Sequence, residues 1–186
     1  LLLPTSASAQ SSFYKGKTIT FIGETRPGGT SDMRMRSILS ILPKYIPGRP
    51  NIMTSYMPGG GGRKLSNYMQ RAARADGLIL ALPSSSFMAL AILGAPGVRY
   101  DLNQLIFLGT PQSQAHYVFS TRKGVGLDKL DKLQAAAGLR IGGQSVGHTI
   151  YIVARLFSYV LGLKAPKFVT GYSGPEMDLA LLRGEI

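Results

Sequence analysis

Three glycine-bearing segments stand where an apolar run gives way to helical spacing: Pro27-Gly28-Gly29-Thr30-Ser31-Asp32, Pro58-Gly59-Gly60-Gly61-Gly62, and Gly142 to Thr149. Glycine lets backbone N–H groups approach a ligand closely, and the first N–H groups of a helix carry partial positive charge. An anion is therefore favoured at such junctions without any charged side chain. Each loop alone is equally a plain turn, with Ser31, Asp32 and Ser84 as helix caps. Three similar loops in one chain favour a shared anion chemistry.

The polar side chains near these loops divide in the same way. His148 lies inside the third loop and either touches a ligand or is a solvent-exposed or capping polar residue. Tyr172, after Gly171, offers a phenol or fills an interface, and Arg26 can fork onto a carboxylate or lie in solvent. Asp32 would repel an anion unless water or a ligand donor intervened, so helix capping is its simplest role.

Catalytic patterns fail on spacing. Leu65 follows Lys64 and Arg63 precedes it, which breaks the phosphate-loop pattern, and no G-x-G-x-x-G opens the first strand–helix turn. The chain has two histidines, His116 and His148, and no cysteine, with neither H-E-x-x-H nor a G-x-S-x-G elbow. No catalytic residue, metal ligand or cofactor is assigned. The surviving enzyme reading is a small α/β protein acting on an anionic substrate, with His148 as general base and the glycine loops as an oxyanion site.

The elements that position these loops alternate. Lys17 to Ile22, Asn51 to Met57 and Leu78 to Leu82 read as strands, and the helical spacings run from Met33 to Leu42, Arg63 to Arg74 and Phe87 to Leu93. Pro43 ends or kinks the first helix. Leu105 to Gly109, Tyr117 to Ser120, Leu139 to Gly143 and Lys167 to Thr170 read as further strands, with helices over Leu127 to Ala137, Thr149 to Leu161 and Glu176 to Arg183. Repeated βα units predict an α/β fold with a mainly parallel sheet.

Of 186 residues, 21 are basic and 9 acidic, giving a formal charge of +12 spread along the chain. Without a basic run, zinc-finger spacing or aromatic RNA-binding box, that charge suits an anion receptor better than a nucleic-acid binder. Residues 1–9 read as the tail of a signal peptide, with Ala7 and Ala9 fitting cleavage after Ala9 and hence export to the periplasm. No later stretch is long and apolar enough to span a bilayer.

The ordered set of segments resembles the periplasmic solute-binding receptors of tripartite tricarboxylate transporters, the Bug receptors. It runs through Phe13-Tyr14-Lys15-Gly16-Lys17-Thr18-Ile19, Pro27-Gly28-Gly29 with Asp32, Ile46-Pro47-Gly48 with Pro50, and Met57-Pro58-Gly59 with Gly61-Gly62. Val98-Arg99-Tyr100-Asp101, Gly142-Gly143, Val169-Thr170-Gly171-Tyr172 with Gly174, and Arg183-Gly184-Glu185 follow. Pro43 and the run of four glycines depart from the usual pattern.

The resemblance implies a two-lobed, type II (Venus-flytrap) periplasmic binding protein, C-terminally truncated here, with lobe 1 over 13–112 and part of lobe 2 over 113–186. It implies a binding protein and not an enzyme, one that captures a mono-, di- or tricarboxylate and delivers it to a membrane permease. A monomer is expected, with no nucleic acid and no membrane insertion. The loops matching Pro27 to Asp32 and Pro58 to Gly62 would grip a carboxylate from lobe 1, and Gly143 to Thr149 would close from lobe 2. With the residues read above, the candidate ligand set is Pro27, Gly28, Gly29, Thr30, Asp32, Pro58, Gly59, Gly61, Ser145, His148, Thr149 and Tyr172.

Overall fold

A computed structural model describes residues 13–110 and 116–186. The signal-peptide segment, its cleavage site after Ala9, and the lobe boundary between residues 112 and 113 lie outside the described residues.

The chain opens on β1 (Thr18–Gly23), whose apolar and β-branched residues are hydrogen-bonded on both sides. β2 (Asn51–Tyr56) and β3 (Ile79–Leu82) flank it in the order β2-β1-β3, all parallel. In register, Gly23 at the end of β1 stands beside Tyr56 and Leu82. All three strands therefore end at one edge, and the loops that leave them gather there. A central parallel strand is covered on both faces, and Ile19 and Ile22 are accordingly buried.

Helices α1 (Thr30–Leu39), α2 (Arg63–Arg71) and α3 (Ser86–Ile92) return the chain between strands. Met35 of α1 and Leu65 of α2 are fully buried with Ile19. Burying side chains of this size contributes about 1.5–3 kcal/mol each. Gly23 lets α1 sit close, because a Cβ there would lie 3.2 Å from the Met35 sulfur.

A second, two-stranded parallel sheet pairs β4 (Arg140–Gly143) with β5 (Lys167–Thr170). The helices of this half are α4 (Leu130–Ala135), α5 (Thr149–Val160) and α6 (Gly174–Arg183). Its core is Ile141, Ala154 and Leu163, packed by Leu133, Phe119 and Phe168. Gly142 is needed here, since a Cβ would meet Met177 of α6 at 2.9 Å. Among the described residues, no helix is long and apolar enough to cross a membrane.

The alternation of strands and helices follows the sequence reading, with corrections. Leu105 to Gly109 and Tyr117 to Ser120 are not strands. Their apolar residues found no neighbouring strand to pair with, and Ile106 and Val118 are 89% and 82% exposed. The second helix stops at Arg71 instead of Arg74, and the 127–137 helix shrinks to Leu130–Ala135. The first helix ends before Pro43, which opens a separate 3-10 turn over Leu42–Tyr45. There its missing N–H costs nothing.

Candidate functional site

The loops leaving the two sheets enclose a cavity of about 230 Å³. From the first half, Glu24, Thr25, Arg26, Gly29, Thr30 and Ser31 of the β1–α1 loop line it, with Pro58, Gly59, Gly61 and Gly62 after β2. From the second half come Gln144, Ser145 and His148 after β4, and Gly171, Tyr172, Ser173 and Gly174 after β5. Of the candidate set, Gly29, Thr30, Pro58, Gly59, Gly61, Ser145, His148 and Tyr172 line this cavity. Pro27, Gly28, Asp32 and Thr149 do not.

Three helices begin at the cavity, and their starts differ. α6 is closed by a capping box: Ser173 and Glu176 bond each other's backbone N–H groups, with Ser173 N donating to Glu176 Oε2 at 2.7 Å. That backbone bond holds the Glu176 carboxyl below its usual range. α5 is capped by His148, whose Nδ1 accepts from Ile150 N–H at 3.2 Å. α1 starts from Gly29, which has no side chain to cap with. Its first-turn residues Thr30 and Ser31 line the cavity with no side-chain acceptor at the N-cap, the arrangement that favours an anion. The expectation that Ser31 or Asp32 supplies the N-cap is corrected: the N-cap is Gly29, and the helix begins at Thr30, three residues before Met33.

Asp32 acts behind this start. It is 3% exposed and accepts from Gly28 N–H at 2.8 Å, from Arg36 Nε at 3.0 Å and from the Tyr56 hydroxyl at 2.5 Å. Burial pushes its pKa upward, but the bonds from Tyr56, Gly28 and Arg36 together bring it below the ordinary carboxylate value. The carboxylate thus holds the glycine turn from the protein side.

The second loop consists of four left-handed glycines, Gly59 to Gly62, with φ of 125°, 63°, 60° and 85°. Side chains rarely tolerate this run. Gly61 also permits a meeting of backbones, since a Cβ there would collide with the Gly147 carbonyl of the second half. The Gly61 carbonyl accepts from the buried Ser86 hydroxyl at 3.1 Å, which fixes the turn. Thr149, outside the lining, joins the halves through its hydroxyl, 3.2 Å from that of Ser85.

Glu24 was not singled out from the sequence, yet it is the buried charge of the site, 6% exposed at the end of β1. Its Oε1 lies 3.5 Å from His148 Nε2, linking the two halves. Burial raises the Glu24 pKa, partly offset by hydrogen bonds from Ser84, and burial lowers that of His148 to about 4. His148 is therefore neutral near pH 7. Since Nδ1 accepts from Ile150, the single imidazole proton sits on Nε2 and faces Glu24. Nδ1 is thus occupied by Ile150 and Nε2 lies beside Glu24, a capping and bridging placement for the residue considered above as a general base. The available signal for Glu24 was an acidic residue directly after a buried strand and Gly23. Among the described residues no His, Cys, Asp and Glu cluster has metal-binding geometry.

No protein-family model matches the sequence, and no curated protein does. Solved structures do match. The R. palustris protein Rpa4515, solved with adipate, is 17% identical and superposes with a TM-score of 0.62 over 91% of this chain and 57% of its own. A protein described as a periplasmic transporter is 19% identical, with a TM-score of 0.66 over 93% of this chain and 58% of its own. The chain thus spans somewhat over half the length of these structures. At that identity the likeness concerns the fold, and this chain shares with these two structures an α/β fold with parallel sheets.

Proposed function

We propose that the protein is a periplasmic receptor that captures a small mono-, di- or tricarboxylate and delivers it to the permease of a tripartite tricarboxylate transporter. The observation that carries this reading is the uncapped start of α1 at Gly29, Thr30 and Ser31, opening into a cavity whose other wall comes from the second sheet. Backbone N–H groups at a helix start complement a carboxylate headgroup. The fold supports a binding role, and the related Rpa4515 was solved with adipate. The ordered sequence segments, from Phe13-Tyr14 to Arg183-Gly184-Glu185, support the transporter class.

In this reading residues 13–112 and 113–186 belong to two lobes that close on the ligand. Closure places Gly61 against Gly147 and Glu24 against His148. The permease recognises the closed form, whose population the ligand raises by binding it preferentially. Export after cleavage at Ala9 and a monomeric state complete the proposal. No bond is made or broken, in keeping with a histidine whose two nitrogens are both engaged.

Melting of the purified protein with adipate, succinate, citrate and acetate tests the reading, because a ligand specific for the folded state must stabilise it. A concentration-dependent rise in Tm with at least one carboxylate is expected. Unchanged melting across a broad carboxylate panel would count against the proposal, and consumption of a bound carboxylate would favour the enzyme reading.

A further inference from the structure

Glu24 is an unexpected wall for an anion site. It lies on the same loop as the α1 start, lines the cavity, and is more than nine-tenths buried. Its two oxygens are unequal. Oε1 faces Nε2 of His148 and Ser84 lies beside the carboxylate, whereas Oε2 is buried with no partner in hydrogen-bond geometry. Gly62 presses against it, since a Cβ there would lie 2.5 Å from Oε2 and 3.2 Å from the Cβ of Phe87. The protein thus keeps glycine beside an unpaired carboxylate oxygen. Such oxygens are uncommon inside proteins, because a buried acceptor without a donor forfeits its hydration.

We infer that Glu24 is a specificity-determining residue, and that the ligand carries a hydrogen-bond donor, a hydroxyl or an ammonium, next to the carboxylate that occupies the start of α1. The inference rests on the carboxylate-receptor reading above. Carboxylate and donor lie near each other on the ligand because Glu24 and Thr30 line one cavity of about 230 Å³. The donor completes the Glu24 carboxylate, while a plain carboxylate brings a second negative charge to the same wall and leaves Oε2 unpaired. His148 makes the contact depend on closure. Its Nε2 lies beside Oε1 only when the second half is in place, and Oε2 then remains to be paired. Site chemistry of this kind discriminates strongly, since a buried polar group rejects the analogue that lacks its partner.

The test compares matched ligands that differ in one donor: malate and aspartate against succinate, and lactate and alanine against propionate. Affinities are measured by titration calorimetry for the wild-type protein and for Glu24→Gln. In the wild type the donor-bearing ligand of each set binds about tenfold or more tightly. In Glu24→Gln the ratio falls toward one, with the ammonium ligands losing more than the hydroxy acids because the charge is gone. A residue that merely supports the fold would change all affinities together and leave the ratios intact. If Glu24→Gln does not fold, the wild-type ratios decide. Equal or better binding of succinate and propionate by the wild type overturns the inference while leaving the receptor reading in place. Absence of binding by every member of both sets overturns the inference, while the receptor reading is then decided by the broader panel that includes adipate and citrate.

Discussion

Replacing Gly61 by alanine separates closure of the two halves from folding of either one. Gly61 sits at φ 60° and ψ 44°, a left-handed conformation that costs an L-residue about 1–2 kcal/mol. A Cβ there would also strike the Gly147 carbonyl and lie 2.7 Å from the His148 nitrogen. Backbone cannot swing away as a side chain does, so relief requires the halves to part by about an ångström. Overpacking of this kind costs about 1–3 kcal/mol. If the penalty falls on the closed form alone, a cost of about 2–3 kcal/mol lowers carboxylate affinity roughly 30- to 150-fold. Gly94→Ala is the matched control, with φ of 61° and nothing within 4 Å of the added carbon. Both variants should lose similar stability in denaturant titration. Only Gly61→Ala should lose affinity by calorimetry. Equal affinity in the two variants would refute the idea that the Gly61–Gly147 contact belongs to the ligand-bound form.

Stability should depend on pH through His148. Its folded pKa of about 4 lies below the ordinary 6.5, so the unfolded chain binds the proton more readily between those values. The histidine contribution is full above pH 6.5 and is lost as pH falls toward 4, by about 3 kcal/mol in all. Glu24, whose pKa is raised, works in the opposite direction, so wild type should be compared with His148→Asn by denaturant titration, and the variant should show a flatter slope over that window. Asp32→Ala should destabilise by about 1–3 kcal/mol, since it leaves Gly28, Arg36 and Tyr56 without their shared acceptor. The same change should weaken carboxylate binding through the loosened Gly28–Gly29 turn, measured by calorimetry. Ser173→Ala should cost about 1 kcal/mol through loss of the α6 cap, seen as a lower Tm.

Much of the architecture was legible because parallel strands buried on both faces leave short apolar runs, and glycine or proline marks where each stops. Ile19 to Ile22 before Gly23 is such a case, and Phe168 to Thr170 before Gly171 carries the same signal in a half-buried strand. Leu105 to Gly109 and Tyr117 to Ser120 carry the same local signal without being strands. Strand formation depends on a partner, and nothing in those residues states whether one is present. The glycine turns and the helix starts that follow them were also legible, because positive φ and helix starts are local properties. The meeting of Glu24 with His148 was not. Their meeting joins residues from two sheets, and only three-dimensional closure makes one the partner of the other. Asp32 shows both sides: its pairing with Arg36 four residues on follows from helix geometry, while the Tyr56 hydroxyl arrives from a different strand.

The central claim is that a carboxylate group is what the α1 start and its facing loops recognise. The most direct test is titration calorimetry of the protein with small carboxylates, adipate and malate among them, set against the corresponding diamides, which keep size and shape but lack the negative charge. The account predicts saturable binding of at least one carboxylate and none of its amide. Equal binding of acid and amide, or no heat from any acid, would contradict it.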